Sequence, residues 1–142
     1  MSPPARLIAY DYAVIRVIPR VHLGLFDNVG VILHARREGF IDLLHRVDPH
    51  RIALLTSTID LALLERHLQA WRRIATGEGA SGAIALLPPS ERFHWLTSPR
   101  STILQTSPVH PGRCADPSTA ILDLFQRFCG FDGGGEPLLH TD

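Results

Sequence analysis

The segment "YDYAVIRVIPR", residues 10–20, decides the start of the fold because its residue types alternate. Ala13, Ile15 and Val17 fall on one side of an extended chain, whereas Arg16 and two tyrosines fall on the other. The first side is apolar enough to face a core. An arginine in mid-strand must meet either solvent or a partner, since burying an unpaired charge is costly. The segment therefore predicts a β-strand with one core face and one aromatic and cationic face.

Two further strands are predicted in "NVGVILHARREGFIDLLHRV", residues 28–47, where two apolar runs flank residues 36–39. Gly39 can adopt the positive φ of a tight turn, so this pattern is typical of a β-hairpin. Asn28 and Gly30, at the start of the segment, are expected to form a turn or a bulge. The first third of the chain thus predicts three antiparallel strands.

Three helices follow from caps and apolar periodicity. "DPHRIALL", residues 48–55, has an aspartate cap and proline at its first helical position, which predicts a short helix. A second helix is expected from about Thr58, and its apolar stripe consists of Leu61, Leu64, Leu68, Trp71 and Ala75. The clearest helix is "DPSTAILDLFQRFCG", residues 116–130, with an aspartate cap at its start and a glycine at its end.

The segment "RFHWLTSPRSTILQTSPVHPG", residues 92–112, is rich in arginine, histidine and hydroxyl groups. "RFHWLTS" and "STILQTS" predict two short strands around Pro99. Strand alternation would place Arg92 and His94 on one side, so they could face one ligand together. The element order is then βββ-αα-ββ-α, which predicts an α+β fold with a mainly antiparallel sheet packed on one face by helices.

Composition limits the classes of function. The 142 residues carry 14 acidic and 14 basic side chains, and every basic one is arginine. Balanced charge does not favour a broad nucleic-acid surface, and without lysine there is neither a Schiff base nor a P-loop cation. The scattered histidines and two distant cysteines have no metal-ligand spacing, so no metal and no cofactor is expected.

The organisation of the chain is expected to be simple. Residues 1–130 are expected to form one domain, and the glycine-rich residues 131–142 a flexible tail. We find no secretory signal pattern and no apolar run near the about 18 residues of a membrane span. A cytoplasmic protein with no membrane partner is therefore expected.

Arginine forks and short hydroxyl donors suit a phosphate or a carboxylate. A hydrogen bond to a charged group contributes about 1.5 to 3 kcal/mol, whereas micromolar binding needs about 8 kcal/mol. We therefore expect a third cation and an aromatic stacking surface beside Arg92 and Arg100. The residues predicted to bind a nucleotide or another phosphorylated small molecule are Tyr12, Arg16, Arg92, Trp95, Arg100, Ser101, Gln105 and Ser107. The open alternative is that Arg92 and Arg100 pair with carboxylates and only join elements.

Catalysis and protein docking are the other two alternatives. His94 and His110 are the candidate general acid or base groups of an enzyme, although the sequence contains no nucleophile elbow, zinc helix or Walker loop. Arginine, tryptophan and tyrosine also dominate protein interfaces, so the same surface could dock a partner. A ligand site should be concave with converging arginines, whereas a docking face should be broad and flat.

Four segments resemble a known family: "YDYAVIRVIPR", "NVGVIL", "RFHWLTSPRSTILQTSPVHPG" and "CADP". Over about residues 8–130 the chain resembles the bacterial family catalogued as domain of unknown function 3037. The resemblance implies a cytoplasmic bacterial protein, and it transfers no catalytic residue. It also implies a partner, since members of such families are often encoded beside kinase-like proteins that resemble HipA. A role as accessory partner of a HipA-like kinase is thus a further expectation.

Overall fold

The alternating segments form strands and the apolar stripes form helices in the computed structural model, which describes residues 6–19, 24–100, 102–130 and 140–141. Its strands are β1 (Ile8–Val17), β2 (Leu25–Ala35), β3 (Phe40–His45), β4 (Leu104–Thr106), β5 (His110–Cys114) and β6 (His140–Thr141). Its α-helices are α1 (Pro49–Leu55), α2 (Leu61–Ala75), α3 (Pro89–Thr97) and α4 (Pro117–Cys129). The α+β class and the antiparallel sheet are confirmed.

The hairpin of β2 and β3 forms as its turn residues predict. Gly39 has a φ of 63°, and its N–H donates to the carbonyl of Arg36 at 3.2 Å. A β-bulge shifts the register of β1 and β2 where Arg16 pairs with Asn28 and Ile15 with Gly30. The expected bulge is therefore confirmed.

The outer edge of β1 carries two short strands in succession. The sheet order is β3-β2-β1, with β4 paired to residues 15–17 and β5 to residues 8–12 of β1. Between β4 and β5, the N–H of Val14 donates to Oγ of Ser107 at 2.9 Å, and the N–H of Ser107 donates to the carbonyl of Val14 at 2.8 Å. Buried Ser107 thereby supplies the pairing that β1 lacks at this point.

The far end of the chain adds one short strand. β6 pairs antiparallel with Leu25 and Phe26 at the start of β2. The rest of the predicted flexible tail, residues 131–139 and residue 142, lies outside the described residues.

Helices pack on both faces of the sheet, which corrects the expectation of one covered face. On one face α1, α2 and α3 pack on a cluster that includes Ala13, Ile15 and Val17 of β1. On the other face Ile121 and Leu124 of α4 belong to a cluster with alternate residues of β2. β2 is apolar in both directions and buried along nearly all its length, as in strands covered on both sides.

Residues 89–97 form helix α3 where a strand was expected, and this expectation is wrong. Pro89 occupies the first turn, Glu91 lies near the helix start, and Phe93 and Leu96 are buried at helical spacing. β5 was not among the expected strands, and it contains a proline and a glycine. An edge strand tolerates both residues.

Candidate functional site

Arg100, a predicted ligand-binding residue, is engaged within the fold. Its Nη1 donates to the carbonyls of Leu96 and Ser98 at 2.8 and 3.2 Å, and Nη2 donates to the carbonyl of Trp95 at 2.8 Å. Its Cζ lies 4.7 Å from the ring centroid of Trp71 and 4.6 Å from that of Trp95. Burial lowers the pKa of Arg100. The guanidinium therefore caps the C-terminus of α3 and joins it to α2.

Arg92 also joins elements. Its Nε donates to the carbonyl of Ala75 at 3.3 Å, and Nη1 donates to the carbonyl of Leu87 at 2.5 Å. In a helix, Arg92 and His94 lie about 200° apart around the axis, so they do not share one face as strand residues would. The two arginines join elements as the alternative proposed, but through backbone carbonyls rather than carboxylates.

Four of the predicted site residues lie on the opposite face of the sheet, where Tyr12 contacts Phe128 of α4. Tyr12 pairs with His110 across β1 and β5, and their ring centroids are 5.5 Å apart. Arg16 pairs with Gln105 across β1 and β4, and its Cζ lies 4.2 Å from the ring centroid of Phe26. These residues are thus separated by the sheet from Arg92 and the other predicted residues of α3.

The remaining predicted site residues also lie on different surfaces of the protein. His94 and Trp95 are exposed on α3, whereas His110 is exposed on β5. Ser107 is buried in the sheet edge, and Ser101 lies outside the described residues. The structure therefore distributes the predicted residues over both faces and does not bring His94 and His110 together.

A concave site instead lies on the α3 side of the sheet, at the end where β1, β2 and β5 are left open by the helices. We call it the sheet-face cleft, and it has a volume of about 630 Å³. Asp11 pairs with His34 on one side and with Pro111 on the other. Cross-strand partners share a face, so three strands contribute to one floor. The lining residues are Ala9, Tyr10, Asp11, His34, Arg36, Arg37, Pro111, Gly112 and Arg113.

His34 distinguishes this cleft from the others. The residue is 5% exposed, and its ring centroid lies 5.3 Å from that of Phe93. Its ring nitrogens form no hydrogen bond with any residue in the described ranges, although they line the cleft. Burial holds the pKa of His34 below its usual value, so the ring is neutral at pH 7 with one donor and one acceptor nitrogen. Although the residue is mostly buried, its ring nitrogens are not among the fully buried polar atoms that lack a partner, so they are accessible to water or a ligand in the cleft.

Three arginines surround this floor. Arg36 and Arg37 belong to the exposed turn after β2, and Arg113 is exposed on β5. None of the three forms an ion pair or a side-chain hydrogen bond with another residue of the described structure. Arg113 pairs with Ala9 across the sheet, and this small side chain leaves space above β1. The cleft therefore combines three uncommitted cations with one carboxylate, that of Asp11.

A second cleft lies along α2 and has a different character. It is lined mainly by apolar side chains such as Leu63, Trp71 and Ile103, with Arg100 at its edge. Because Arg100 already donates to three carbonyls, this cleft contains no uncommitted arginine among its lining residues. This cleft therefore offers apolar contacts but, in its described lining, no uncommitted cation that would select an anionic ligand.

The cysteines are not activated as nucleophiles. Burial, with Asp116 nearby, raises the pKa of Cys114. Burial raises the pKa of Cys129 to about 12. Both thiols therefore stay protonated at neutral pH, and the thiolate is the reactive form. Within the described ranges, no group of three or more His, Cys, Asp or Glu side chains could hold a metal ion, and no helix is long and apolar enough to cross a membrane.

One charged cluster was missed by the sequence predictions. Asp27 and Arg51 are 1% and 3% exposed, and their Oδ1 and Nη2 atoms lie 2.5 Å apart. Nη1 of Arg51 also lies 3.5 Å from the carbonyl of Cys129, and Asn28 donates to the carbonyl of Phe128 at 3.0 Å. The cluster thus holds the C-terminus of α4, which is a structural role. The indication in the sequence was Asp27, a charged residue before the apolar run of β2.

Comparison with known proteins places the chain in one family. Neither a comparison with curated proteins nor one with solved structures found a match. A family model described as "Protein of unknown function (DUF3037)" matches residues 12–129. Within that range lie His34 and the three arginines of the sheet-face cleft. Because the match covers most of the chain, the protein belongs to the DUF3037 family.

Proposed function

We propose that the protein recognises a small anionic ligand, with a phosphate or carboxylate group, in the sheet-face cleft. The observation that carries this proposal is His34, a buried imidazole that lines the cleft and has no partner among the described residues. The ring nitrogens are open to the cleft and are not paired within the described structure, so they can donate to or accept from a ligand there.

The charges of the lining support an anion. Arg36, Arg37 and Arg113 contribute three positive charges and Asp11 one negative charge, so the lining carries a net charge of +2 with His34 neutral. Hydrogen bonds to charged groups contribute about 1.5 to 3 kcal/mol each. Three of them approach the about 8 kcal/mol of micromolar binding. Because the arginines are exposed, solvent screening reduces the energy of each hydrogen bond toward the lower end of this range. We therefore expect a Kd between micromolar and millimolar.

The shape of the site favours a ligand over a docked protein. The cleft is concave and surrounded by arginines, whereas Tyr12 and Trp95, the aromatic residues that could anchor a partner, lie on opposite faces of the sheet. Catalysis by His94 or His110 gains no support, because neither imidazole forms a hydrogen bond or ion pair with a described residue, and the ring of Tyr12 is only in ring contact with that of His110. Partnership with a HipA-like kinase stays an expectation from the resemblance, to which the described surface adds nothing.

The test is a calorimetric titration with inorganic phosphate and with acetate. We expect saturable binding by the wild type that is lost in Arg113→Gln. The matched control is Arg66→Gln, because Arg66 is exposed on α2 outside the cleft and its loss changes the net charge equally. Absence of binding at millimolar anion, or equal weakening by both variants, would contradict the proposal.

A further inference from the structure

The lining of the sheet-face cleft is arranged in two rows across the strands. His34, Asp11 and Pro111 are cross-strand neighbours and form the inner row. Two residues further along β5 on the same face is Arg113, the partner of Ala9, and Arg36 lines the same end of the cleft from the turn that follows β2; these two arginines form the outer row. Two residues of a strand span about 7 Å, so this distance separates the two rows.

The two rows differ in chemistry. The outer row offers guanidinium forks, whose geometry matches phosphate and carboxylate oxygens. The inner row offers the carboxylate of Asp11, which accepts hydrogen bonds, and the neutral ring of His34, which can both donate and accept. Hydroxyl groups fit the inner row, because each can donate to the carboxylate and accept from the imidazole.

Asp11 also limits how much negative charge the ligand can carry. Its side chain forms no ion pair or hydrogen bond with any residue of the described structure, so its carboxylate is available to a ligand in the cleft. A second phosphate placed over the inner row would be repelled by this carboxylate. The lining thus favours one anionic group at the arginine end and hydroxyl donors about 7 Å away.

We infer that the cleft selects a monophosphate ester of a polyol or sugar, with the phosphate on the outer row and hydroxyl groups on Asp11 and His34. This inference rests on the proposed function and names its ligand class. It requires that hydroxyl groups add affinity to phosphate, and that this gain depends on Asp11.

The experiment compares four probes by calorimetry: inorganic phosphate, pyrophosphate, ribose 5-phosphate and ribose. For the wild type we expect ribose 5-phosphate to bind roughly tenfold tighter than phosphate, the factor given by one hydrogen bond to a charged group. Arg113→Gln should weaken both phosphates. Asp11→Asn should remove the advantage of ribose 5-phosphate and leave phosphate binding equal or tighter, since the repelling charge is gone. Variants are first checked for the native circular dichroism spectrum, and Arg66→Gln is again the control.

Each result bears on a different step. Equal affinity of the wild type for phosphate and ribose 5-phosphate would overturn the ligand class and leave the anion site intact. Tighter binding of pyrophosphate than of ribose 5-phosphate would overturn it as well, because Asp11 would then not exclude a second phosphate. If Asp11→Asn weakened phosphate and ribose 5-phosphate equally, its role would be structural. Binding of none of the phosphates would refute the proposed function itself.

Discussion

Replacement of Arg100 by alanine should destabilise the protein. The change removes donors to three carbonyls at the end of α3 and the stacking of the guanidinium between Trp71 and Trp95. Hydrogen bonds from a charged group contribute about 1.5 to 3 kcal/mol. Water can replace some of these hydrogen bonds at this half-buried site, so we count the energy of one hydrogen bond only. Two cation–π contacts at about 0.5 to 1 kcal/mol each bring the expected loss in free energy of unfolding to about 2.5 to 5 kcal/mol.

Urea unfolding followed by far-UV circular dichroism measures this loss without relying on the fluorescence of Trp71 and Trp95, which the mutation itself would alter. Arg66→Ala is the control, since this exposed residue forms no hydrogen bond or ion pair within the described structure and should change stability by less than about 0.5 kcal/mol. Arg100→Lys should show an intermediate loss, because lysine retains the charge but not the planar fork. If Arg100→Ala unfolds at the same urea concentration as Arg66→Ala, the guanidinium does not join α2 and α3 as argued.

Three further predictions concern the sheet. Burial raises the pKa of Asp27 to about 6 against the attraction of Arg51, so a carboxyl ¹³C titration should give a midpoint near that value. The folded state holds this proton more tightly than the unfolded state does. The contribution of Asp27 to the free energy of unfolding should therefore fall as pH rises from 3.8 to about 6 and stay constant above that pH. Asp27→Asn should abolish this pH dependence of stability in urea unfolding. Ser107→Ala should leave the buried N–H of Val14 unpaired, cost about 1 to 3 kcal/mol and speed amide exchange at Val14; unchanged exchange would contradict this. Gly30→Ala should lower the thermal midpoint clearly, since its Cβ would lie 2.7 Å from the carbonyl oxygen of Leu44, and an unchanged midpoint would show that β3 can shift freely.

The elements with local causes were predicted from the sequence. Alternation was sufficient for β1, and the turn glycine Gly39 was sufficient for the hairpin, since both depend on neighbouring residues. Asp48 and Asp116 accept hydrogen bonds from the first turns of α1 and α4 as their capping pattern predicts. α3 was mistaken for a strand because a nine-residue segment with few apolar positions fits both periodicities. Contact with α2 and the sheet, which the local pattern does not contain, decides between them.

The sheet-face cleft could not be predicted in the same way, because strand register creates it. Residues 9–11, 34–37 and 111–113 are distant in sequence and become neighbours only when β2 and β5 flank β1. A local indication did exist, since His34 interrupts the apolar run of β2 at a position that faces a core. Asp27 interrupts the same strand in the same manner, yet it pairs with Arg51 and His34 does not. A polar residue in a buried strand therefore indicates either a structural pair or a possible site, and its partners in the structure decide between them.

Arginine content is an ambiguous indication of a site for a related reason. In a chain without lysine, arginine must supply both the structural cations and the binding cations. Arg92 and Arg100 donate to the carbonyls that end or follow helices, which is where cations stabilise a fold. Arg36 and Arg113 instead flank an open sheet face, have no partner among the described residues and are free to bind an anion. A cluster of arginines in a sequence is thus equally compatible with a structural role at helix ends and with a ligand site. The hydrogen bonds of each guanidinium in the structure distinguish these two roles.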